Sequence, residues 1–339
     1  MSEFTLIGRH FVRPTPGAIL GPGDDCALLQ PTPGMQLAIT TDMLVAGTHF
    51  FADTEPRALG WKTLAVNLSD LAAMGATPRW ALLAGSLPAA DDAWLAAFAD
   101  GLFALAGQFQ VDLVGGDTTR GPLNLCVTAL GEVPAGQALR RDGGQAGDDL
   151  WVSGRPGLAA LGLAQLRGQV SLPEPLAARC LAALHRPQPR IALGLRLRQL
   201  AAQGLVHAAI DVSDGLLADL GHILERSQLA GEVHLAGLPP LPAGVDTSLA
   251  RRCLLAGGDD YELVFAAAPA ARPALAALAA ELDLPLWRCG RLLAQPAADP
   301  SSDNHPPDRP SLVVLDADGQ PLPITDLGYD HFADHQETR

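Results

Sequence analysis

The order of apolar and polar residues along the chain predicts a mixed α/β protein. Residues 37–45 (LAITTDMLV) are rich in β-branched side chains and predict a strand. Residues 57–75 place apolar side chains on one broad helical face, and Gly75 is suited to end that helix. The remaining predicted elements of this half are a helix at 91–109 and strands at 111–114 and 123–133.

A change of composition predicts a domain boundary, because residues 134–148 are rich in glycine and polar side chains. We expect an N-terminal domain over 1–136 and a C-terminal α/β domain over 137–339. Residues 294–310, rich in Pro, Asp and Ser, predict a flexible insertion. The periodic segments of this half predict strands at 150–154 and 311–316, helices at 157–167, 175–184 and 189–203, a strand, turn and helix within 209–227, and a turn and strand within 254–267.

The composition excludes several classes of protein. Of 339 residues, 48% are hydrophobic, and the net charge of −14 argues against non-specific binding to nucleic acid or to an anionic membrane. The most apolar long window, 263–287, is interrupted by prolines and charges and predicts no membrane span. Five cysteines without a C-x-x-C pair, and a first segment without a signal-peptide apolar run, predict a cytoplasmic protein.

Five short stretches share one feature, because each places aspartate at the end of an apolar element beside Gly, Ser or Thr. They are GPGDDCALL (21–29), TTDMLVAGTHF (40–50), NLSDLAAMGA (67–76), GGDTTRG (115–121) and DVSDGL (211–216). Hard cations such as Mg²⁺ take oxygen ligands and keep several waters, so carboxylates from separate elements suit them. His and Cys at zinc spacing are absent, so Mg²⁺ is the favoured metal if one binds.

These aspartates also have ordinary structural interpretations. An Asp that follows a strand is commonly a turn or helix cap. Such a role would explain Asp117 in its loop, and it would explain Asp211 and Asp214 ahead of a helix. The adjacent carboxylates Asp24 and Asp25 could form a solvated turn, since like charges in contact otherwise need a compensating cation.

Asp70 is harder to explain as a surface residue. On the 57–75 helix, Thr63, Asn67 and Asp70 form a narrow polar stripe. A carboxylate on a largely apolar helix is costly unless it is paired or binds a metal. Two roles stay open: a metal ligand, or a structural ion pair with Lys62, the only lysine of the chain.

The order of the motifs resembles that of the bacterial thiamine-monophosphate kinases over nearly the whole chain, in the stretches GDDCALL, TTDMLVAGTHF, WKTLAVNLSDLAAMGATP, GGDTTRGPL, DVSDGLLADLGHI, GGDDYEL and GYDHF. Several of these motifs are similar throughout an ATP-binding superfamily that includes aminoimidazole ribonucleotide synthetase and selenophosphate synthetase. The resemblance implies an α/β (α+β) fold of two domains, in which the mixed N-terminal sheet pairs across a homodimer. A Walker-A loop is absent, as the resemblance implies.

The resemblance also implies a reaction and its site residues. We expect Mg²⁺-assisted transfer of a phosphoryl group from ATP to thiamine monophosphate, without a covalent intermediate. By similarity, the metal ligands are Asp25, Thr40, Thr41, Asp42, Asp70, Asp117, Asp211 and Asp214. The implied ATP contacts are Gly116, Asp117, Arg141 and Ser213, and the implied substrate contacts are His49, Asp259 and Tyr329.

Some positions depart from this pattern or have alternatives. The family reads GGEDYEL where this chain has GGDDYEL, so the carboxylate of Asp259 is one methylene shorter and its substrate contact could run through water. His49 could instead make a hydrogen bond at a strand end, and Tyr329 could pack the tail. Of the adjacent pair, we expect Asp25 at the metal and Asp24 as a turn cap or a supporting acceptor.

The residues leave other functions open. One is another ATP-dependent synthetase of the same superfamily, although the chain has no N-terminal reactive cysteine segment of the kind that selenide chemistry needs. A two-metal phosphohydrolase would release phosphate from a simple ester without ATP. A non-catalytic metal-binding module would have no activity to lose on substitution of its aspartates.

Overall fold

The structure is a computed structural model that describes residues 3–295, 311–324 and 326–329. The predicted insertion from residue 296 onward and the last three residues of GYDHF lie outside the described residues. The chain divides into two compact units, the first formed by Met1–Leu139 with His185–Ala202 and the second by Arg140–Leu184 with Gln203–Arg339. The domain division at 136/137 stays a prediction, and the sequence does not predict that 185–202 joins the first unit.

The predicted elements are confirmed, although β3 continues well beyond its predicted end. The helices are α1 Glu3–His10, α2 Pro56–Ala73, α3 Asp92–Phe109, α4 Leu158–Leu166, α5 Leu176–His185, α6 Ile191–Ala201, α7 Leu216–Ser227, α8 Thr247–Ala256 and α9 Arg272–Glu281. The strands are β1 Met35–Val45, β2 Thr77–Leu87, β3 Asp112–Arg120, β4 Asn124–Pro134, β5 Asp149–Ser153, β6 Val206–Val212, β7 Leu229–His234, β8 Glu262–Ala267, β9 Leu286–Ala294, β10 Leu312–Leu315 and β11 Pro321–Leu322. Every helix of the described chain is too short or too polar to cross a lipid bilayer.

The first unit is built on a four-stranded sheet in the order β1-β4-β2-β3. The pairs β1–β4 and β4–β2 are antiparallel and β2–β3 is parallel, so the mixed sheet predicted for this half is confirmed. Helix α2 packs against β1, β4, α3 and α6. Because it has neighbours on so many sides, α2 is buried around most of its circumference, and its few polar side chains must find partners inside the unit.

Two glycines explain how closely α2 approaches α3. A Cβ on Gly60 would lie 2.0 Å from the carbonyl oxygen of Phe98, and one on Gly101 would lie 1.8 Å from that of Arg57. Either side chain would push the helices apart. The two glycines therefore allow the short distance between α2 and α3. This distance in turn determines the position of the polar stripe on α2.

The second unit is built on a seven-stranded sheet in the order β11-β10-β7-β9-β5-β8-β6. Strands β5 and β6 each pair antiparallel with β8, so they run in the same direction. Their carboxyl ends therefore lie at the same edge of the sheet as the amino end of β8. The segment after β6 and the segment before β8, which carry the predicted DVSDGL and GGDDYEL motifs, meet at this edge.

An ion pair holds the opposite end of the second sheet. Asp149, buried at the start of β5, accepts hydrogen bonds from Arg272 Nε at 2.6 Å and Nη2 at 2.8 Å. Arg288 makes a longer contact of 3.4 Å with the same carboxylate. Burial raises the pKa of Asp149, but the hydrogen bonds and charge of Arg272 outweigh it, and the net pKa lies below its ordinary value.

We predict that Arg272→Ala lowers the free energy of unfolding, because it leaves the buried Asp149 carboxylate short of donors. The stabilisation is present above the ordinary carboxyl pKa and is lost as the pH falls through the lowered pKa of Asp149. Urea denaturation of variant and wild type at neutral and acid pH measures both effects.

Arg288→Ala is the matched control, since the two arginines are 51% and 48% exposed and differ mainly in the length of the contact. We expect it to cost less than half as much as Arg272→Ala. Equal losses from the two substitutions would mean that the short hydrogen bonds of Arg272 carry no special weight.

Candidate functional site

In the first unit, the predicted residues Thr40 and Asp70 lie together. The Thr40 hydroxyl on β1 donates a short hydrogen bond to Oδ2 of Asp70 on α2. Two residues along the same strand, the Asp42 amide donates to Oδ1 of Asn67 at 3.1 Å. Asn67 is fully buried, and its amide nitrogen donates to the Thr63 carbonyl at 3.3 Å. The polar stripe predicted on α2 therefore faces the strand that carries Thr40 and Asp42.

Thr41 points to the other face of β1, because successive side chains of a strand alternate. Its hydroxyl donates to the Val127 carbonyl at 3.1 Å and lies 3.1 Å from the Thr128 hydroxyl. The structure thus does not bring the Thr41 hydroxyl to the Thr40–Asp70 pair. Its assignment as a metal ligand stays a prediction.

Asp25 and Asp117 lie on exposed segments of the first unit. The Asp25 amide donates to Oδ1 of Asp24 at 2.9 Å, and the roles predicted for the two carboxylates stay predictions. Asp117 follows Gly116 in β3, where a Cβ on Gly116 would lie 1.8 Å from the Leu83 carbonyl oxygen. Glycine at that position therefore allows β3 to stay paired with β2 up to Asp117 and beyond.

His49 lies just after β1. It makes a hydrogen bond at the strand end, which is one of the two roles predicted for it. Its Nδ1 accepts from the Val45 amide at 3.0 Å. Only an unprotonated nitrogen can accept, so the ring proton of the neutral imidazole sits on Nε2. The Nε2–H group is therefore the donor that the ring can present to a ligand. The substrate role of His49 stays a prediction.

In the second unit, a single carboxylate organises the turn formed by Ser213, Asp214 and Gly215, here called the 213–215 turn. The amides of these three residues donate to Oδ2 of Asp219, at 3.0, 3.1 and 3.1 Å. Asp219 lies in the first turn of α7, one helical turn after Gly215, and it is buried. It satisfies amides that a helix start otherwise leaves without partners.

The carbonyls of the same turn hold two predicted substrate residues. The Ser213 carbonyl accepts from the Asp259 amide at 2.8 Å, and the Asp214 carbonyl accepts from the Tyr329 amide at 2.9 Å. The structure thus brings Asp259 and Tyr329, which are distant in sequence, to Ser213 and Asp214. It also places Asp211 nearby, buried in the last residues of β6.

The main chain of Arg141, one of the four predicted ATP contacts, lies away from this edge of the sheet. Its main-chain carbonyl accepts from the Ser227 hydroxyl at 2.9 Å, at the end of α7. Helix α7 begins beside the 213–215 turn and has 12 residues, which corresponds to a length of about 18 Å. The assignment of Arg141 to ATP therefore stays a prediction, because this contact involves only its main chain.

Burial dominates the electrostatics of the turn. Burial first, and then the charge of Asp214, raise the pKa of Asp219 to about 7 against the three amide hydrogen bonds, which lower it. Burial likewise raises the pKa of Asp260 well above its ordinary value. Several carboxyl groups therefore lie close together at this edge of the sheet, and a nearby positive charge would stabilise their ionised forms.

The donor set fits a magnesium ion better than a transition metal. Within the residues that the structure describes, no group of three or more His, Cys, Asp or Glu side chains is arranged to hold a metal. The available donors are oxygens, in sets of one or two carboxylates with hydroxyl neighbours. Mg²⁺ is commonly bound by one or two carboxylates, completed by water and substrate phosphates.

Sequence reasoning misses the roles that two polar residues, Asn67 and Asp219, have in shaping the site. The helical pattern places Asn67 only in a polar stripe, and it does not single out Asp219. The available signal for Asp219 is a carboxylate on the apolar face of a helix, between Leu216 and Leu220, where a charge is costly without partners.

Two family models match the chain. AIR synthase related protein, N-terminal domain, matches residues 23–133, and AIR synthase related protein, C-terminal domain, matches residues 145–300. Together the two matches cover more than half of the chain.

Curated proteins and solved structures agree with these matches. Thiamine-monophosphate kinase of Salmonella typhimurium is 44% identical over 338 residues, covering 98% of each chain. The crystal structure of thiamine-monophosphate kinase from Stenotrophomonas maltophilia has a TM-score of 0.81 at 48% identity, covering 95% of this chain and 98% of that one. AaThiL complexed with AMPPCP and TMP has a TM-score of 0.71 at 26% identity, covering 97% of this chain and 96% of that one.

We predict that Asp219→Ala lowers the free energy of unfolding by about 2–4 kcal/mol, because three amides lose their acceptor. Asp219→Asn keeps a carbonyl oxygen and should lose less than half as much. Chemical denaturation of both variants measures the difference.

Asp246→Ala is a suitable control, because Asp246 caps α8 through one amide, that of Leu249 at 2.9 Å. Loss of a single exposed cap should cost about 1 kcal/mol. If Asp219→Ala costs no more than this control, the three amides do not depend on Asp219.

Proposed function

Because this chain belongs to the AIR synthase related family and, within it, to the thiamine-monophosphate kinases, we propose that it transfers a phosphoryl group from ATP to thiamine monophosphate. The products are thiamine diphosphate and ADP. The observation that carries this proposal is 44% identity to a thiamine-monophosphate kinase over 98% of both chains. The binding of AMPPCP and TMP by AaThiL supports the same pair of substrates.

The reaction joins two anionic phosphates, so its main requirements are charge neutralisation and alignment. The acceptor is a phosphate oxygen that is already anionic near neutral pH, so no strong general base is needed. Bound Mg²⁺ supplies the positive charge that the two phosphates require. We propose several Mg²⁺ ions, as the resemblance implies. In the first unit the side chains that would hold them are Asp25, Thr40, Thr41, Asp42, Asp70 and Asp117, and in the second unit they are Asp211 and Asp214.

The chain's own groups orient the substrates. Thr40 fixes one oxygen of Asp70, and the buried Asn67 fixes the main chain at Asp42, so the Asp70 carboxylate and the Asp42 main chain are held before a ligand arrives. In the second unit, Asp219 holds the 213–215 turn and thereby the main chain at Asp259. Thiamine monophosphate carries a cationic thiazolium ring and an aminopyrimidine, and the carboxylate of Asp259 suits either.

We assign ATP contacts to Gly116, Asp117, Arg141 and Ser213, and substrate contacts to His49, Asp259 and Tyr329. The positions of Ser213, Asp259 and Tyr329 around one turn support the assignment of these three to one site. Since the reaction consumes ATP, the proposed setting is the cytoplasm.

The first unit also supports a homodimer. One face of β1 packs towards α2, whereas the opposite face exposes Leu37, Ile39 and Met43. The neighbouring strand β4 continues this face through Cys126 and Leu130, which are only half-buried. An apolar sheet face of this kind is favourable as an interface between copies of the chain.

The test is turnover. Purified protein with Mg²⁺, ATP and thiamine monophosphate should form thiamine diphosphate and ADP in equal amounts, measured by liquid chromatography. Asp70→Asn should lower kcat/KM by about tenfold or more and raise the Mg²⁺ concentration needed for half-maximal rate, because the carboxylate charge is lost.

Asp100→Asn is the matched control, since Asp100 is exposed on α3 of the same unit, and it should behave like wild type. A wild-type Mg²⁺ dependence in Asp70→Asn would remove Asp70 from the ligands. Release of phosphate from a simple ester without ATP, and no thiamine diphosphate, would favour a phosphohydrolase instead.

For the dimer, we predict that Ile39→Asp converts the protein to monomers, because a charge is placed on the interface. Sedimentation equilibrium measures the mass. Ile19→Asp is the control, since Ile19 is 68% exposed and Ile39 is 62% exposed within the same unit. A monomeric wild type, or equal dissociation by both substitutions, would exclude this face.

A further inference from the structure

The segment Asp259–Tyr261 has an unusual main chain. Asp259 has φ of +68° and Tyr261 has φ of +51°, so two non-glycine residues in three adopt the left-handed region. Side chains other than glycine are disfavoured there, and such conformations persist only where neighbouring contacts hold them. The contacts that hold this segment therefore indicate what its conformation achieves.

Each residue of the segment is fixed by a hydrogen bond. The Asp259 amide donates to the Ser213 carbonyl, and the Tyr261 amide donates to the Val212 carbonyl, both at 2.8 Å. The Asp260 carboxylate accepts from the Gly157 amide at 2.7 Å, at the start of α4. The segment is thus held by the end of β6 and by the start of α4.

The fixed main chain brings the side chains of residues 259 and 261 together. The Tyr261 hydroxyl donates to Oδ1 of Asp259 at 3.1 Å. The tyrosine residue is only 8% exposed, so its ring has little freedom to turn away. The phenol therefore constrains the orientation of the Asp259 carboxylate.

We propose that Tyr261 is a positioning residue that orients the Asp259 carboxylate towards the cationic or amino-bearing part of thiamine monophosphate. This rests on the proposed function, in which Asp259 contacts that substrate. A short, two-bond side chain such as Asp can rotate about χ1 and χ2, and a fixed donor to one oxygen restricts both. Ordering the carboxylate in advance lowers the entropy that substrate binding must lose.

Tyr261→Phe in the full-length protein separates orientation from packing, because it keeps the buried ring and removes only the hydroxyl. We expect the KM for thiamine monophosphate to rise about tenfold, in line with loss of one hydrogen bond to a charged group. The KM for ATP and the melting temperature should stay at wild-type values. Calorimetric titration with thiamine monophosphate, in the presence of a non-hydrolysable ATP analogue, should show the same loss of affinity.

Asp259→Ala completes a double-mutant cycle. It should itself raise the KM for thiamine monophosphate, and Tyr261→Phe should then add nothing, because the hydroxyl has no carboxylate left to orient. A tenfold effect of Tyr261→Phe in both backgrounds would overturn the proposal. So would a wild-type KM in Tyr261→Phe, or a parallel loss of melting temperature and of ATP affinity.

The failure of the proposed function has a different signature. In that case the wild-type protein forms no thiamine diphosphate. If the wild type is active and only the cycle fails, the kinase assignment stands and Tyr261 has a packing role.

Discussion

The geometry of the second unit depends on one buried carboxylate. Asp219 accepts the amides of Ser213, Asp214 and Gly215 through a single oxygen, so the turn after β6 has a fixed shape. Because the amides of this turn point inward to Asp219, its carbonyls are turned outward and accept the amides of Asp259 and Tyr329. Residues from three distant parts of the sequence are thus connected by hydrogen bonds to one turn. A change at Asp219 is expected to displace all of them.

In the first unit, the buried polar groups of α2 are satisfied in a different way. There α2 is buried on most sides and close to α3, so its polar groups cannot reach water freely. They instead bond to their own helix, as Asn67 does to Thr63, or to β1, as Asp70 does to Thr40. In each unit one carboxylate, that of Asp70 or that of Asp219, is therefore fixed by neighbouring polar groups before any ligand binds.

The sequence predicts the elements of the fold better than their assembly. Periodicity predicts α2 and α7 because their apolar residues recur at helical spacing, and it locates DVSDGL at a strand end. It misses β2. It also ends β3 at residue 114, because the polar run GGDTTR looks like a loop in the sequence, whereas in the structure its main chain is hydrogen-bonded to β2. The return of 185–202 to the first unit, and the contact of Asp259 with the 213–215 turn, depend on long-range packing that no local pattern encodes. Asp219 lies within the motif DVSDGLLADLGHI, yet its role depends on where three amides point.

This arrangement explains why a phosphate-transferring family can work without a glycine-rich phosphate loop. A turn that leads into a helix ordinarily offers its amides to an anion. Here the three amides are already occupied by Asp219, and Asp214 adds a further negative charge, so phosphate cannot bind to this turn directly. The charge of Asp214, which also contributes to the raised pKa of Asp219, favours a cation over an anion beside this turn. Aspartates at the ends of strands are therefore consistent with phosphate binding once the cation, and not the main chain, is the group that meets the phosphate.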